Sequence, residues 1–259
     1  IERGHEVSTI ALPPAPPAGT LPEAVKISIA DLNKISDEEV LEHFAGMEGL
    51  IYAAGVDDRT VPQAPAREFF YNGNVLPTRR IIRLAKAAGI KKVVVFSSYF
   101  VAFDRLWPEL RMAELHPYVY SRVEQIKAAK EEAGDDLTVS FLLLPYIFGS
   151  TPGRVPLWKP IVDYLQSPLP FVVYPRGGCA MVSVREVASA AVRALEAGTP
   201  GAEYEVVSDN LSWKAWLEKM LGFLGKKKPI WTLPDWALRR GAKLMMSRYR
   251  RRGKEPGLE

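Results

Sequence analysis

The chain is poor in cysteine and histidine, and it lacks long apolar runs and one glycine motif. Its 259 residues include a single cysteine, Cys179. That excludes an internally stapled secreted scaffold and favours a reducing compartment, so a cytoplasmic location is expected. The three histidines, His5, His43 and His116, are scattered without metal-ligand spacing, and no metal site is expected. No apolar run approaches the ~20 residues of a membrane-spanning helix, and the opening residues carry no basic-then-apolar signal pattern. Neither G-x-G-x-x-G nor G-x-x-G-x-x-G occurs. There is no internal repeat, and the only compositionally biased tract is the loop from Pro13 to Pro22.

What is present suits a folded α/β protein. The chain is 47% hydrophobic and 25% charged, enough to bury a sizeable core. Its net charge of +4 is unevenly spread. Residues 226–254 hold eleven Lys or Arg against one acid, Asp235, so this stretch carries +10 and the remainder −6. The body is mildly acidic and the basicity belongs to the tail.

Strand-like runs at Glu6–Leu12, Val25–Ala30, Leu50–Ala54, Val93–Phe96, Thr138–Leu144 and Tyr204–Val207 alternate with helical patterns. Ser36-Asp-Glu-Glu39 has capping-box spacing and predicts a helix through Phe44. Further helices are predicted over Ala66–Ala88, Tyr118–Glu132, 184–195 and Ser212–Leu224. The central strands are continuously apolar, as in parallel strands buried on both faces. The expected fold class is therefore α/β, a Rossmann-like, doubly wound parallel sheet with a smaller C-terminal substrate-binding region. The expected division is a nucleotide-binding domain over 1–150 and a substrate region over 151–259, with sheet elements returning at about 180–207.

Ligands of open parallel sheets sit beyond the carboxyl ends of the strands. Four such ends stand out: Asp31-Leu32, Ala53-Ala54-Gly55, Ser97-Ser98 and Pro145-Tyr146. Tyr118 and Arg122 follow at i and i+4 on one helical face. A phenol is a poor acid–base group at neutral pH unless a neighbouring cation favours its phenolate. A serine beside it can polarise the same carbonyl oxygen. Tyr120 competes with Tyr118, but its i+4 partner is the acid Glu124. Cys179, beside Gly177-Gly178, reads as structural. Asp57 and Asp58 read as solvated turn residues, the alternative being that they face a substrate or a cofactor's phosphates, where their charge would be unhelpful.

In order along the chain, Gly4-His-Glu-Val7, Asp31-Leu32, Ala53-Ala-Gly55, Asn74-Val75 with Thr78, and Val93-Val-Val-Phe-Ser-Ser98 form a series. Tyr118-x-x-x-Arg122, Leu144-Pro-Tyr-Ile-Phe-Gly149 and Val182-Ser-Val-Arg-Glu-Val187 complete it. This series resembles the extended short-chain dehydrogenases/reductases, the NAD-dependent epimerase/dehydratase group, over nearly the whole chain. The resemblance implies an NAD- or NADP-dependent oxidoreductase, epimerase or dehydratase that transfers hydride at a carbon–oxygen centre. It implies Ser98, Tyr118 and Arg122 as the catalytic group, with Tyr118 as acid/base. It further implies Asp31 and Leu32 beside the adenine, Ala53, Ala54 and Gly55 on the adenosine and pyrophosphate side, Asn74 among the cofactor-binding residues, and Pro145, Tyr146 and Ile147 at the nicotinamide.

Two features depart from the family pattern. The first strand and its glycine-rich turn are not among these residues, and an upstream segment supplying them is expected. Arg122 stands where the family has lysine; it keeps the charge but cannot relay a proton. The alternative reading is therefore a cofactor-binding protein with weak or no catalysis. Ala11-Leu12-Pro13-Pro14 offers neither the acidic nor the basic cue that separates NAD from NADP.

The expected substrate is a small molecule: a nucleotide sugar, a sterol-like ketone or another carbonyl compound. Trp107, Trp158, Phe171 and Tyr174 tilt this towards an apolar or ring-containing one. Nucleic acid is not expected, since no binding motif accompanies the charge; a homodimer is compatible with the sequence. The basic tail reads either as a helix at an anionic membrane surface or, the reading adopted, as a docked helix with a solvated basic end.

Overall fold

The computed structural model describes every residue except Pro152, Arg154 and Glu259. The strands are β1 (Ser8–Ala11), β2 (Lys26–Ile29), β3 (Gly49–Tyr52), β4 (Lys92–Ser98), β5 (Thr138–Leu144), β6 (Tyr146–Phe148), β7 (Val172–Tyr174), β8 (Gly178–Ser183), β9 (Glu203–Glu205), β10 (Asp209–Ser212) and β11 (Ile230–Thr232). The helices are α1 (Asp37–Phe44), α2 (Ala66–Ala87), α3 (Phe100–Leu106), α4 (Met112–Leu115), α5 (Pro117–Ala133), α6 (Lys159–Gln166), α7 (Val184–Ala197), α8 (Trp213–Phe223) and α9 (Asp235–Arg250).

The centre is a four-stranded parallel sheet in the order β3-β4-β5-β9. Val93, Val94, Val95, Phe141, Leu142 and Leu143 are almost fully buried, which is why these runs lack the polar alternation of a half-exposed strand. Residues alternate between the two faces. Val93, Val95, Phe141 and Leu143 meet Ile81, Ile82, Ala85, Ile126 and Ala129 of α2 and α5 on one side. Val94, Leu142 and Leu144 meet Val187, Ala191 and Ala194 of α7 on the other. The sheet is doubly wound, as expected.

β1 and β2 form a separate parallel pair, anchored through the turn that follows it. Arg80 of α2 donates to the carbonyls of Leu32 and Ile35 and pairs with Asp37 at 2.6 Å, clamping that turn to the long helix. Ser36 and Glu39 form the capping box that their spacing implied. In the C-terminal half, β6, β8 and β10 make a small mixed sheet, and β7 pairs with β11. Leu165, Val172, Met181, Trp216, Leu217 and Leu221 give this part its own apolar cluster.

The tail agrees only in part with the expected docked helix with a solvated basic end: its cations Arg239, Arg240, Lys243 and Arg248 are exposed, and Leu238, Met246 and Tyr249 are half-buried. α9 forms, but none of its residues is fully buried. The segment after it is what docks. Ala64 donates to the carbonyl of Gly253 at 2.8 Å and Glu255 to that of Pro62 at 3.1 Å, while Pro256 and Gly257 are buried.

Candidate functional site

The register of the central sheet sets Ser98 opposite Leu144, so both strands end side by side. The Tyr99 amide bonds the Leu144 carbonyl at 3.1 Å, which holds Ser98-Tyr99 against Pro145-Tyr146. Ser98 is buried, and its Oγ accepts from the Phe100 amide at 3.3 Å. The hydroxyl hydrogen therefore remains available to donate elsewhere. Ser97 is also buried, but its Oγ has no partner among the described residues.

α5 starts at Pro117, so Tyr118 lies in its first turn, where backbone amides lack intrahelical partners. The Gly257 carbonyl supplies that partner, accepting from the Tyr118 amide at 3.0 Å. Close by, the Glu255 carboxylate accepts from the Ala66 amide at 2.7 Å and caps α2, which otherwise begins without a side-chain cap. Leu258 packs beside Phe70, Tyr118 and Val119. Residues 253–258 thus strap the starts of the two helices that carry the site. Nothing in the tail's composition signalled this, because the contacts join residues over a hundred positions apart.

The Tyr118 ring sits edge-on to Phe70 and Phe100, with centroid separations of 5.7 and 6.2 Å. One turn on, Arg122 is buried with its guanidinium carbon 5.8 Å from the Tyr118 centroid. Arg122 donates to Asn74 Oδ1 at 3.2 Å and to the Phe96 carbonyl at 3.1 Å, while its buried Nε has no partner among the described residues. Asn74 is the hub. Its Oδ1 also accepts from the Val56 amide at 2.8 Å, and its Nδ2 donates to the Val56 carbonyl at 3.2 Å and to Ser121 at 3.0 Å. Ser121 in turn donates to the Tyr118 carbonyl at 2.8 Å. One buried amide thus ties the loop after β3 to the helix of Tyr118 and Arg122.

Gly55 lies directly on this hub. A Cβ there would stand 2.8 Å from Asn74 Oδ1 and 3.1 Å from Arg122, so only glycine lets the backbone approach so closely. Ala53, Ala54 and Gly55 are exposed beyond the end of β3, as an edge open to a flat ligand requires. Asp31 and Leu32 stand apart from this group. Asp31 accepts from the Asn33 amide at 3.0 Å within its own turn, and Leu32 packs partly against the main core.

Tyr120 is directed elsewhere: the Arg67 guanidinium lies 3.6 Å over its ring, and Tyr71 stacks with it. His5 Nε2 lies 2.9 Å from a Glu196 carboxylate oxygen, and burial pushes the Cys179 thiol up to about 11, leaving it protonated and unreactive at neutral pH.

Asp57 and Asp58 need separate treatment. Asp57 is ion-paired with Arg59. Asp58 is half-buried rather than fully solvated: burial, with the neighbouring Asp57 charge, raises its carboxyl above the usual range, and a bond to its own backbone amide, then Arg59 and Arg122, partly offset this. Its field also reaches the phenols of Tyr99 and Tyr146, whose ionisation is pushed up mainly by burial.

The rings themselves form a continuous wall. Tyr99 contacts Phe103 at 4.8 Å and Tyr146 at 6.3 Å; Tyr146 contacts Trp158 at 5.2 Å and Trp213 at 5.8 Å; Trp213 contacts Tyr174 at 5.6 Å. Trp107 joins through Phe103 at 4.8 Å. Phe171 does not join; it stacks on Trp231. Sequence reading missed Tyr99 and Trp213 because strand-end and helix-start aromatics look like ordinary core.

A parallel sheet wound on both faces, with Ser98, Tyr118 and Arg122 towards its carboxyl end, has the architecture of a Rossmann-like fold. No family model matches the chain. A Synechocystis sp. (strain ATCC 27184 / PCC 6803 / Kazusa) protein, provisionally assigned as a dihydroflavonol 4-reductase, is 25% identical over 256 residues, covering 91% of this chain and 70% of that protein. The crystal structure of gox2253 superposes with a TM-score of 0.76 at 20% identity, covering 99% of this chain and 79% of the other. A dTDP-glucose 4,6-dehydratase of Streptomyces venezuelae, solved with NAD bound, gives 0.61 at 16% identity, covering 82% and 71%. The resemblance carried by the ordered motifs therefore stands, through a distant relative in sequence and through the shared fold.

Proposed function

We propose that this protein is an NAD(P)-dependent enzyme of the extended short-chain dehydrogenase/reductase type, acting at a carbon–oxygen centre of a small molecule. The observation that carries this reading is the anchoring of Arg122 between Asn74 and the Phe96 carbonyl, with the Tyr118 ring 5.8 Å away at the carboxyl end of the parallel sheet. The residues present fit the nicotinamide and ribose side of the cofactor. There the buried Arg122 Nε lacks a partner among the described residues and Pro145–Ile147 border the same strand ends, while Ala53–Gly55 offer an open backbone edge to the adenosine and pyrophosphate side.

When bound, the cofactor supplies or accepts a hydride. This chain's residues handle the oxygen. Tyr118 gives a proton to it, or takes one from it, and Arg122 sets a fixed positive charge beside that tyrosine. Ser98, whose Oγ already accepts from Phe100, uses its own hydrogen to hold the same oxygen. The aromatic wall from Tyr99 to Trp213 excludes water from the reacting centre and supports a ring-containing, largely apolar carbonyl substrate. Among the relatives, the assignment as a dihydroflavonol 4-reductase agrees with that class.

Tyr118→Phe is the direct test. It is expected to lower turnover by roughly 10²–10⁴-fold while NAD(P)H fluorescence titration shows unchanged cofactor binding. Unchanged turnover would remove Tyr118 from the mechanism. Cofactor binding without turnover in the parent protein would favour the non-catalytic alternative.

A further inference from the structure

α9 is held at both ends and largely exposed between them. At its start, Leu233 donates to the Tyr174 carbonyl at 3.1 Å; at its end, residues 253–258 are strapped to the body. Between these anchors none of the sixteen helical residues is fully buried; Ala237, Leu238, Met246 and Tyr249 are half-buried and the rest are exposed. Leu238, Ala242, Met245 and Tyr249 recur at the spacing of one helical face, and Arg239, Arg240 and Lys243 lie on the other side. Leu244 is 74% exposed and Met245 50%.

The approach to the helix is similar in kind. Phe223 is 86% exposed, Trp231 55% and Trp236 64%, and Lys226, Lys227 and Lys228 lie between the first two. Among the described residues, no carboxylate pairs with Arg239, Arg240, Lys243 or Arg248, although elsewhere the body is acidic overall. The exposed aromatic and apolar side chains are costly in water, and the cations interleaved with them are left without counter-charges. They match a phase that is anionic at its surface and apolar just beneath.

We propose that the surface running from Phe223 through α9 is a docking face for an anionic lipid bilayer, on which α9 lies in the plane of the interface. No described helix is long and apolar enough to cross a membrane, so the contact is peripheral. A second copy of the chain is a poor occupant, because it would bring the same +10 stretch against this one. A polyanion without an apolar layer would leave Leu244, Met245 and Trp236 uncovered.

Co-sedimentation of the full chain with vesicles of known composition tests this. Binding is expected to vesicles containing phosphatidylglycerol and to be at least roughly tenfold weaker to phosphatidylcholine alone or in high salt. Arg239→Gln, Arg240→Gln and Lys243→Gln should each weaken it by about fivefold. Leu244→Ser with Met245→Ser should weaken it on the same vesicles without changing its salt dependence. Because all five side chains are exposed, thermal melts of these variants should match the parent. Failure of the parent to sediment with anionic vesicles would overturn the proposal. So would binding that ignores the serine substitutions, since that outcome indicates a purely polyanionic or acidic-protein partner. None of these readouts depends on turnover.

Discussion

α5 and α9 are helices of nearly equal length, 17 and 16 residues, with opposite fates. α5 buries ten residues, including a tyrosine, an arginine, a serine and a glutamine, and satisfies most of their polar atoms through Asn74, Thr78, Phe96 and Gly257. α9 has the more strongly two-sided sequence and fully buries no residue. Amphipathic patterning thus says that a helix forms, but not what it meets. In α5 the polar residues inside the fold give it chemistry; in α9 the apolar residues outside it give it a surface.

Substitutions can break or sharpen that contrast. The largest effect is expected from Asn74→Ala, which strips hydrogen bonds from Val56, Ser121 and Arg122 at once. It should cost about 3 kcal/mol of stability, read from the denaturant midpoint. If it costs no more than a surface change on α9, the polar hub is not what holds α5.

Next is Gly257→Val. A Cβ at Gly257 already approaches Phe70 to 2.6 Å and Tyr118 Cβ to 2.9 Å, so the larger side chain must displace the strap. A loss of about 1–3 kcal/mol is expected, with faster hydrogen exchange of the Tyr118 amide. Unchanged protection of that amide would show that the strap does not support the start of α5.

Asp58→Asn works in the stabilising direction. Folded Asp58 holds its proton to higher pH than the unfolded chain does, so stability is lost as pH rises through the aspartate range. The variant should melt above the parent at neutral pH, and the difference should vanish in acid, below about pH 4. The smallest effect belongs to Leu244→Ser on α9, expected within about 0.5 kcal/mol of the parent in the absence of lipid.

Much of the framework was readable in order along the chain. Thr138–Leu144 is the strand its apolar run implied, Ser36 and Glu39 cap their helix reciprocally, and the long α2 ends within a residue of its predicted stop. These features rest on neighbours a few residues apart. Ser98, Tyr118, Arg122 and Gly55 were singled out for their strand-end and helix-face positions, and the structure brings them to one end of the sheet. Asp58, Tyr99, Trp213 and the strap at 253–258 were not legible, because their environments come from chain segments far apart in sequence.

The amino-acid sequence by itself determined the alternation of strands and helices, the parallel character of the central sheet and the split between an acidic body and a basic tail. Those follow from periodicity, capping and composition, which are local. Tertiary structure alone decided that Asn74 would join loop to helix, that Asp58 would be partly desolvated, that Gly257 would hold Tyr118, and that α9 would stay largely exposed. Desolvation and hydrogen-bond partnership depend on what packs against a residue, and that is settled only when distant segments meet.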